Sequence, residues 1–488
     1  MNQKYLGPYK SFRDYLDALE HYGLIEHIDS INQDEYEATA LMYRIIDNTK
    51  VYEAPALFFD EIHSKGKLFK HSLVGNIYGR WDFESLALGI MPIEGSPQKN
   101  YKHALNKITD HIKENNEWRV INPIEIQPSE ASCKEVKLLG DDIDLLNFPF
   151  IQTNPEDGGC YINMGSVILK DPDLGRNIGT YRCQIKNSKK ISINPQVNQD
   201  GWKFLKRMQE RGEKHAAVAI VLGTDPITFS MSGSKVAQYG EDELGIAGGI
   251  MGEAIEVVKC DTNDILVPAN VEMVIEGSIP LDRMEEEGPF GEMYGYIGEK
   301  KEENFYMDVS AITHRNNPIF SNQFTGITRG CLTAPIEVAL NQKYKKKFND
   351  FIGLHYPLET PGFCFVNIAS VSFEKAMAIG SDISKSLKIA KITVLLDSDV
   401  DIHNLHDVLH AVGSRWQPYT SSEIIEKAPG LSGDPSSTER GIGSRIVINA
   451  MKNGRQSDLG FAKTNRECLE NAFPEIFDRI DSKFKDLI

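Results

Sequence analysis

Apolar residues at helical spacing predict a helix close to the start of the chain. Ser11 followed by Asp14 forms a capping box, so the helix should begin after Ser11, and Gly23 is a suitable stop. A second helix is predicted over residues 34–47 and a short buried strand over 56–59. The apolar positions of the first helix are Phe12, Tyr15, Leu16, Leu19 and Tyr22.

Between residues 126 and 330 the pattern changes to short β-rich runs separated by Gly, Asn and Asp turns. One helix, over residues 201–211, interrupts the strands. This spacing is typical of an all-β barrel or sandwich core with an inserted helical segment. The β-rich runs cover residues 161–169, 178–185, 216–222 and 270–279.

After residue 333, strands and helices alternate, which predicts a smaller α/β domain. Apolar residues at helical spacing over 464–487 predict a terminal amphipathic helix, which must dock on its own chain or on a second subunit. The predicted helices of this part cover residues 335–352, 373–387 and 404–412, and the predicted strands cover 363–371 and 392–396.

Composition and charge narrow the class of protein. A length of 488 residues predicts roughly two to four domains. Lys and Arg total 53 against 70 Asp and Glu, and the resulting net charge of −17 argues against nucleic acid and anionic lipid as partners. No apolar run reaches the ~18–20 residues of a membrane span, and the first residues lack the pattern of a signal peptide, so we expect a cytoplasmic protein. The seven scattered cysteines include no CxxC pair, which argues against a zinc ribbon or a disulfide framework.

Carboxylates flank a Gly-Pro-Phe-Gly turn at residues 288–291. Pro289 fixes its own φ and biases the residue before it toward an extended conformation. Such a turn can bring Glu287 and Glu292 close together, so that one of the two holds a proton near neutral pH. A pair of this kind suits general acid–base catalysis, although a solvated acidic loop would fit the same residues.

Three other segments carry candidate chemistry. Arg182 ends the segment Asn177–Arg182 and can grip a carboxylate with its planar guanidinium, or it can form an ordinary surface ion pair. Residues 241–243, Glu-Asp-Glu, offer oxygen ligands to a hard divalent cation, or they are the acidic start of a helix. Lys385 and Lys388 follow a predicted helix and could hold a phosphate, or they are surface lysines.

Together these segments resemble the UbiD family of reversible decarboxylases, over most of the chain. The two most specific motifs are Glu287–Glu292 and, upstream of it, Val258–Asp264. The other matching segments are Phe12–Asp29, Pro155–Gly159, Asn177–Arg182, Val267–Ala269, Tyr294–Tyr296, Asp397–Ile402, Asp407–Leu409 and Gly441–Ser444.

The resemblance implies an α+β multidomain fold. A central split β-barrel of the flavin-reductase type, over residues 125–332, would bind the cofactor. It would be flanked by an N-terminal α/β domain over 1–124 and by a C-terminal α/β domain over 333–488. The C-terminal domain would carry the terminal helix and mediate assembly into a homodimer or a higher homo-oligomer.

The resemblance also implies a cofactor and a set of site residues. The cofactor would be prenylated FMN, supplied by a flavin prenyltransferase and held with Mn²⁺ (or Mg²⁺) and K⁺. Arg182, Glu287 and Glu292 match the catalytic residues of the family, and Asn177 and Glu243 match two of its metal ligands. The implied cofactor-binding residues are Asn177, Ile178, Thr180, Arg182, Gln196, Glu243 and Lys385.

The third metal ligand of the family is usually a histidine, and this chain departs from the pattern. The best register puts Asn198 at that position, with Asp200 two residues further on. Both residue types still offer oxygen ligands to Mn²⁺ or Mg²⁺. Asn177 and Arg182 also differ by an odd number, so a single regular strand would direct them to opposite faces. If both serve the site, we expect the strand to start after Asn177 or to contain a bulge.

The reaction implied is the non-oxidative, reversible decarboxylation of an aromatic, heteroaromatic or α,β-unsaturated carboxylic acid, with CO₂ as the other product, through a covalent adduct with the flavin. Glu292 would deliver a proton to the carbon that loses CO₂, while Glu287 and Arg182 orient the substrate carboxylate. Residues 322–330 are expected to line the pocket. Two alternatives are an oxidoreductase that binds unmodified FMN and a non-catalytic subunit of a multi-component carboxylase.

Overall fold

The structure is a computed structural model that describes residues 5–50, 52–113, 117–437, 439–453 and 461–485. The chain forms two compact units. The first unit contains Met1–Lys347, Tyr356–Gly362 and Gly430–Gly443, and the second contains Phe348–His355, Phe363–Pro429 and Ser444–Ile488. Two short segments of the first unit are therefore separated from the rest of it in sequence by parts of the second.

The first unit begins with helices and strands whose buried side chains belong to two hydrophobic cores. Its elements are α1 (Phe12–His21), β1 (Ile25–Asn32), α2 (Glu37–Asn48), β2 (Ala56–Ser64), β3 (Lys67–Phe69), β4 (Leu73–Gly75), α3 (Trp81–Ala87) and α4 (Pro97–Thr109). The predicted start of α1 is confirmed, because the side chain of Ser11 accepts a hydrogen bond from the backbone N–H of Asp14. β1 pairs in parallel with β2, which pairs antiparallel with both β3 and β4.

The middle of the first unit is dominated by one large sheet. The strands are β5 (Ile124–Glu125), β6 (Val136–Leu139), β7 (Tyr161–Ile162), β8 (Gly165–Asp171), β9 (Gly175–Thr180), β10 (Cys183–Asn187), β11 (Lys190–Ile193), β12 (His215–Leu222), β13 (Glu256–Lys259), β14 (Leu266–Pro268), β15 (Met273–Pro280), β16 (Glu285–Glu287), β17 (Phe290–Gly291), β18 (Ile297–Gly298), β19 (Lys301–His314) and β20 (Phe320–Asn322). The ten-stranded sheet runs in the order β7-β10-β11-β19-β15-β12-β8-β9, with β6 and β16 also paired to β19. One smaller sheet contains β14, β13 and β5, and another contains β17 and β18. Strand β20 pairs with β4 and so extends the sheet formed by β1 to β4. In the described residues no pairing joins the two ends of the large sheet, so the split barrel stays a prediction.

The central strand β12 separates two hydrophobic cores. Val218, Ile220 and Leu222 lie in one core, and Ala219 and Val221 lie in the other, which also contains the side chains of α1 and α3. Alternate side chains of a strand point to opposite faces, so a strand covered on both sides reads as a continuous apolar run. At β12 the large sheet is therefore covered by hydrophobic side chains on both faces.

The second unit is a smaller α/β structure, and α8 (Ala334–Lys347) precedes it. Its elements are β21 (Phe351–His355), β22 (Phe363–Ile368), α9 (Phe373–Ser386), β23 (Ile392–Leu396), α10 (Leu405–Arg415), β24 (Ser422–Pro429), β25 (Ile442–Asn449), α11 (Asn465–Ala472) and α12 (Ile476–Lys483). The sheet order is β21-β22-β23-β25-β24, with β22, β23 and β25 parallel. The predicted alternation of strands and helices is confirmed here.

Three predicted elements differ in the structure. The helix expected over 335–352 ends at Lys347, because Phe351 and Leu354 are buried in the antiparallel pairing of β21 with β22. The single terminal helix is two helices, α11 and α12, separated at Pro474, where proline and the residue before it disfavour helix.

The third difference is the number of helices within residues 126–330. One was expected, and the described chain has α5 (Asp200–Glu210), α6 (Pro226–Gly233) and α7 (Glu243–Met251). α6 and α7 are buried nearly all round, so they carry no polar face that would produce helical periodicity. No helix in the described residues is both long enough and apolar enough to cross a membrane.

Candidate active site

The turn between Glu287 and Glu292 follows strand β16, and hydrogen bonds hold it to the segment around Gly158. Glu287 ends β16, and the turn leads into the short hairpin of β17 and β18. The backbone N–H of Gly158 donates to the carbonyl of Pro289 (2.8 Å), and the N–H of Gly291 donates to the Asp157 carboxylate (2.8 Å). Gly288 has φ +91°, a region that favours glycine, rather than the extended conformation expected before proline.

Arg182 lies between the two glutamates. Its Nε and Nη2 donate to Glu287 Oε1 and Oε2 (3.0 and 2.8 Å), and its Nη1 donates to Glu292 Oε1 (2.5 Å). Glu287 is fully buried, whereas 26% of the Glu292 side chain is exposed. The structure therefore brings Arg182, Glu287 and Glu292 together as the sequence predicted, with a guanidinium bridging the carboxylates. We call these three residues the Arg182 cluster.

The loop that carries Arg182 explains how it reaches the glutamates. Strand β9 ends at Thr180 and β10 begins at Cys183, so Tyr181 and Arg182 lie between two strands. Asn177 is inside β9. The expectation that the strand starts after Asn177 or contains a bulge is therefore wrong, because the strand simply ends before Arg182.

Two aromatic residues complete the buried side of the cluster, and the sequence did not single them out. The hydroxyl of Tyr161 donates to Glu287 Oε1 (3.0 Å) and to the carbonyl of Pro289 (3.2 Å). Burial, and then the charge of Glu287, raise the pKa of Tyr161, so the phenol stays protonated and donates. The Arg182 guanidinium lies 4.9 Å from the centre of the Phe290 ring, a cation–π contact.

Glu292 packs closely against two glycines. A Cβ added to Gly298 would lie 2.7 Å from Glu292 Cγ, and one added to Gly433 would lie 3.3 Å from Glu292 Oε2. Ser432, next to Gly433, donates to Gln196 Oε1 (3.2 Å). Glu292 Oε2 makes no hydrogen bond in the described chain, so this oxygen is available for proton transfer.

A lysine that the sequence did not identify stands beside the cluster. Lys301 opens β19 and is the register partner of Glu287 in the pairing of β16 with β19. Its Nζ donates to Asn194 Oδ1 and to Gln196 Oε1 (3.3 Å). Knowing the strand register would have revealed it, because residues opposite each other in an antiparallel pair share a face.

A second polar site joins β9 to the start of α7. Asn177 Nδ2 donates to Glu243 Oε1 (2.9 Å), and the backbone N–H of Ile178 donates to Glu243 Oε2 (3.1 Å). Burial raises the pKa of Glu243 to about 8. Asn177 Oδ1 is buried without a hydrogen-bond partner among the described residues. An unpartnered amide oxygen beside a buried carboxylate fits a hard divalent cation.

The two interpretations of residues 241–243 each apply to a different residue. Asp242 caps α7 by accepting from the N–H of Leu244, and it pairs with Arg176 (2.5 Å). Glu243 instead turns inward to Asn177. The helix start and the candidate metal ligand are therefore adjacent residues.

The remaining predicted site residues make other contacts than those of the Arg182 cluster and of Asn177 with Glu243. Asn198 is exposed with φ +71°, and its side chain makes no hydrogen bond in the described part of the chain, so its role as a metal ligand stays a prediction. Asp200 begins α5 and pairs with Lys203 (2.8 Å). The Thr180 hydroxyl hydrogen-bonds that of Ser232 (2.9 Å). Lys385 lies in the last turn of α9, in the second unit.

One residue of the predicted pocket segment points elsewhere. Arg329 is almost fully buried and pairs with Glu84 (3.1 Å) and Glu359 (2.8 Å). The Tyr52 ring also lies near its guanidinium, at 5.8 Å. Arg329 therefore forms its ion pairs in the interior of the first unit, and the expectation that residues 322–330 help to line the pocket stays a prediction.

Comparison with known proteins shows the family. The sequence profile described as the 3-octaprenyl-4-hydroxybenzoate carboxy-lyase Rift-related domain (UbiD) matches residues 125–328, and the profile of the C-terminal domain of the same enzyme matches 332–450. The phenolic acid decarboxylase of Sedimentibacter hydroxybenzoicus is 30% identical over 460 residues, which cover 91% of each chain. The chain belongs to the UbiD family. Members of this family are carboxy-lyases, so the predicted class of enzyme is confirmed.

Solved structures agree with this assignment. The vanillic acid decarboxylase of S. hydroxybenzoicus in its closed form has a TM-score of 0.80 at 26% identity, covering 96% of this chain and 99% of that one. The UbiD-class enzyme HmfF of Pelotomaculum thermopropionicum, solved with FMN, also has a TM-score of 0.80, at 24% identity, over 98% of this chain and 100% of that one. The multidomain α+β fold is thus confirmed as that of UbiD structures.

Proposed function

We propose that this chain catalyses the non-oxidative, reversible decarboxylation of an aromatic, heteroaromatic or α,β-unsaturated carboxylic acid. The observation that carries the proposal is the Arg182 cluster, in which one guanidinium holds a fully buried and a partly exposed glutamate. Relatives that act on phenolic and vanillic acids support an aromatic acid as the substrate.

The proposal includes a cofactor, prenylated FMN. HmfF has been solved with FMN and, in an evolved dimeric form, with prenylated FMN, which supports a flavin here. When bound, the prenylated flavin supplies the electron sink for the electron pair that departing CO₂ leaves behind. Gln196 and Thr180 would contact it near the Arg182 cluster, and Lys385 is proposed for its phosphate.

A divalent cation, Mn²⁺ or Mg²⁺, would be held by Asn177 and Glu243, with K⁺ as a second ion. The unpartnered, buried Oδ1 of Asn177 supports this, since such an atom otherwise bears the cost of desolvation without compensation. Asn198 is retained as the third ligand in place of the usual histidine.

The residues of the Arg182 cluster would divide the work. Glu292 holds the proton at Oε2 and delivers it to the carbon that has lost CO₂, since this oxygen makes no hydrogen bond in the described chain and the Glu292 side chain is 26% exposed. Arg182 fixes the position of Glu292 by its hydrogen bond to Oε1. Glu287 holds the guanidinium from the buried side, and the Tyr161 hydroxyl in turn donates to Glu287. In the reverse direction Glu292 accepts the proton instead.

The proposal extends to domain organisation and assembly. The large sheet would be a split barrel of the flavin-reductase type within residues 125–332, flanked by domains over 1–124 and 333–488. The C-terminal domain would form a homodimer or a higher homo-oligomer, and the dimeric HmfF supports this. The protein would act in the cytoplasm and receive its cofactor from a flavin prenyltransferase.

The test is to produce the protein together with a flavin prenyltransferase. Mass spectrometry and UV–visible spectra of the released small molecules should identify prenylated FMN, and a panel of aromatic acids should include one that yields CO₂. Bound unmodified FMN that bleaches and recovers with a reductant, without CO₂ from any acid, would favour an oxidoreductase. Failure to bind any flavin would favour a non-catalytic subunit.

A further inference from the structure

The hydrogen bonds of the Arg182 cluster leave its guanidinium largely occupied. Arg182 is shared between the side chains of Glu287 and Glu292. Three of its five N–H donors are already bound to these carboxylates. A carboxylic acid is an anion at neutral pH, so a second cation is needed to attract it.

Lys301 is placed to be that cation. It lies directly across from Glu287 in the pairing of β16 with β19, on the same face of the ladder. Its side chain is half-buried.

The hydrogen bonds of Lys301 are unusual for a half-buried lysine. An ammonium has three donors, and two of them go to amide oxygens, those of Asn194 and Gln196. No carboxylate accepts from Lys301 in the described chain. Lys190 on the adjacent strand donates to Glu285 (2.5 Å), and Lys300 pairs with Glu286 (2.5 Å).

A second unpaired donor lies next to Lys301. The Nδ2 of Asn194 is buried, and it has no hydrogen-bond partner in the described residues. Asn194 already accepts from Lys301 through its oxygen. The ammonium and the amide therefore offer two neighbouring N–H donors to an acceptor that the protein does not supply, and a carboxylate is an acceptor for both.

We propose that Lys301 is a substrate-binding residue whose ammonium group takes the carboxylate of the acid beside the Arg182 cluster. The inference rests on the proposed function, because it assigns the carboxylate to the substrate of that reaction. It commits to the substrate rather than a flavin phosphate, because Lys301 stands opposite Glu287, at the end of the site where the carboxylate would react.

The electrostatic surroundings fit this role. Burial, followed by repulsion from Arg182, lowers the pKa of Lys301 to about 8. Glu287 and Glu292 oppose that shift, and Arg440 adds to it. Lys301 is therefore charged at neutral pH, and a bound carboxylate would improve its environment.

The binding predicted here is a ground-state interaction. CO₂ leaves as a neutral molecule, so the ammonium loses its partner when the carbon–carbon bond breaks. Loss of Lys301 should then raise KM and leave kcat within a few-fold of the wild-type value. A merely structural role would not produce this split.

The experiment uses holoprotein made with a flavin prenyltransferase and two probes, 4-hydroxybenzoate and phenol, which differ by the carboxylate. The variants are Lys301→Met, Lys301→Gln and Lys301→Arg, and the matched control is Lys300→Met, whose side chain is 43% exposed. Binding is followed by titration of the flavin absorbance, with flavin content and CO₂ release measured separately.

Lys301→Met and Lys301→Gln should weaken binding of 4-hydroxybenzoate at least about tenfold, the loss of one charge-assisted hydrogen bond, and leave phenol within about twofold. Lys301→Arg should retain the preference, and Lys300→Met should change neither probe. In wild-type protein the preference for the acid should fall as the pH rises through about 8.

Equal weakening of both probes, lower flavin content in the Lys301 variants, or a wild-type protein without preference for the acid would overturn the inference. These outcomes are distinct from failure of the proposed function. Protein that binds the acid through Lys301 but releases no CO₂ from any acid would refute only the function. Protein that releases CO₂ with equal weakening of both probes would refute only the role of Lys301.

Discussion

Two groups of charged residues, each with one glutamate on the large sheet, are organised in opposite ways. In the first, Lys134 donates to Asp261 and Glu276 (3.1 Å each), and we call these three residues the Lys134 cluster. Glu276 also accepts from the N–H of Asp261 (2.9 Å) and from the N–H and hydroxyl of Thr262 (2.8 and 2.9 Å). Every oxygen of Glu276 is therefore occupied by the protein.

The Arg182 cluster is incomplete by comparison. Glu292 is partly exposed, and among the described residues its Oε2 accepts no hydrogen bond and Lys301 donates to amide oxygens rather than to a carboxylate. A saturated ionic network contributes to a unique fold, because breaking it leaves a buried charge without compensation. An unsaturated network retains hydrogen-bond donors and acceptors that a ligand can use. Ionisable groups with shifted pKa values, such as Lys301, concentrate at functional sites. The contrast indicates which ion pairs stabilise this protein and which are available for chemistry.

The largest expected difference between the two clusters is the loss of activity on substitution of Glu292. The variant Glu292→Gln keeps the shape and the hydrogen bond from Arg182 but cannot transfer a proton. CO₂ release should fall by about 10²–10⁴-fold, while flavin content and the midpoint of thermal unfolding stay close to wild type. Turnover at the wild-type rate would contradict the assignment of the proton to this residue.

The opposite pattern is expected for Lys134→Met. Removing the ammonium leaves the fully buried Glu276 without its partner, which should cost about 3–5 kcal/mol of unfolding free energy. Denaturant unfolding measures this cost. Activity per folded molecule should be nearly unchanged. The control is Lys137→Met, because Lys137 also pairs with Asp261 but is 43% exposed, and it should cost less than about 1 kcal/mol.

A smaller effect should follow from Gly298→Ala. The added Cβ would meet Glu292 Cγ at 2.7 Å and Oε1 at 2.9 Å, and the flexible glutamate should yield rather than the backbone. Displacement of Glu292 from Arg182 should lower CO₂ release by roughly tenfold or more with little change in stability. Gly413→Ala serves as the control, since a Cβ there has no neighbour within 4 Å. A large loss of stability in Gly298→Ala alone would show that the turn, and not Glu292, is the sensitive element.

The smallest expected effect is a difference between Lys301 and Lys134 in how the unfolding free energy depends on pH. Lys301 has a pKa lowered to about 8 by burial and by Arg182, so the unfolded chain binds its proton more tightly between about pH 8 and 10. The unfolding free energy of apoprotein, relative to Lys301→Met, should therefore rise with pH in this range. For Lys134, burial lowers the pKa, but the attraction of Glu276 and the hydrogen bonds to Glu276 and Asp261 outweigh it and raise the pKa.

Lys134 should accordingly show no such rise. Its stabilising contribution is fully present below the pKa of an unfolded lysine and is lost only at higher pH. Denaturant titrations of wild type, Lys301→Met and Lys134→Met at several pH values measure both slopes. Parallel slopes for the two variants would remove the distinction between the clusters.

The sequence revealed the parts of the site that are local in the chain. Glu287 and Glu292 flank one turn, and Arg182 lies in a short segment, so these short motifs could be matched to the UbiD family, although residue types and spacing alone left other interpretations open. Lys301 and Tyr161 were missed because their importance depends on strand pairing and on packing across the sheet. The guanidinium between the two carboxylates was likewise not evident from either segment alone.

The errors in the fold have the same physical origin. Helices α6 and α7 are buried on nearly all sides, which removes the polar face that marks a helix in a sequence. The terminal helix was overextended because apolar spacing continues across Pro474, although proline interrupts the backbone hydrogen bonds. Strand β12 was predicted well because a short apolar run bounded by turn residues has few alternatives.

The segment Gly430–Gly443 has a consequence for how the enzyme is made. It belongs to the first unit, where Ser432 binds Gln196 and Gly433 lies against Glu292, yet it leaves the ribosome more than eighty residues after Lys347. A nascent chain that has already folded its large sheet therefore still lacks the segment that packs against Glu292. The candidate site can therefore be completed only after Gly443 has been synthesised, and a fragment that stops at Lys347 lacks this segment.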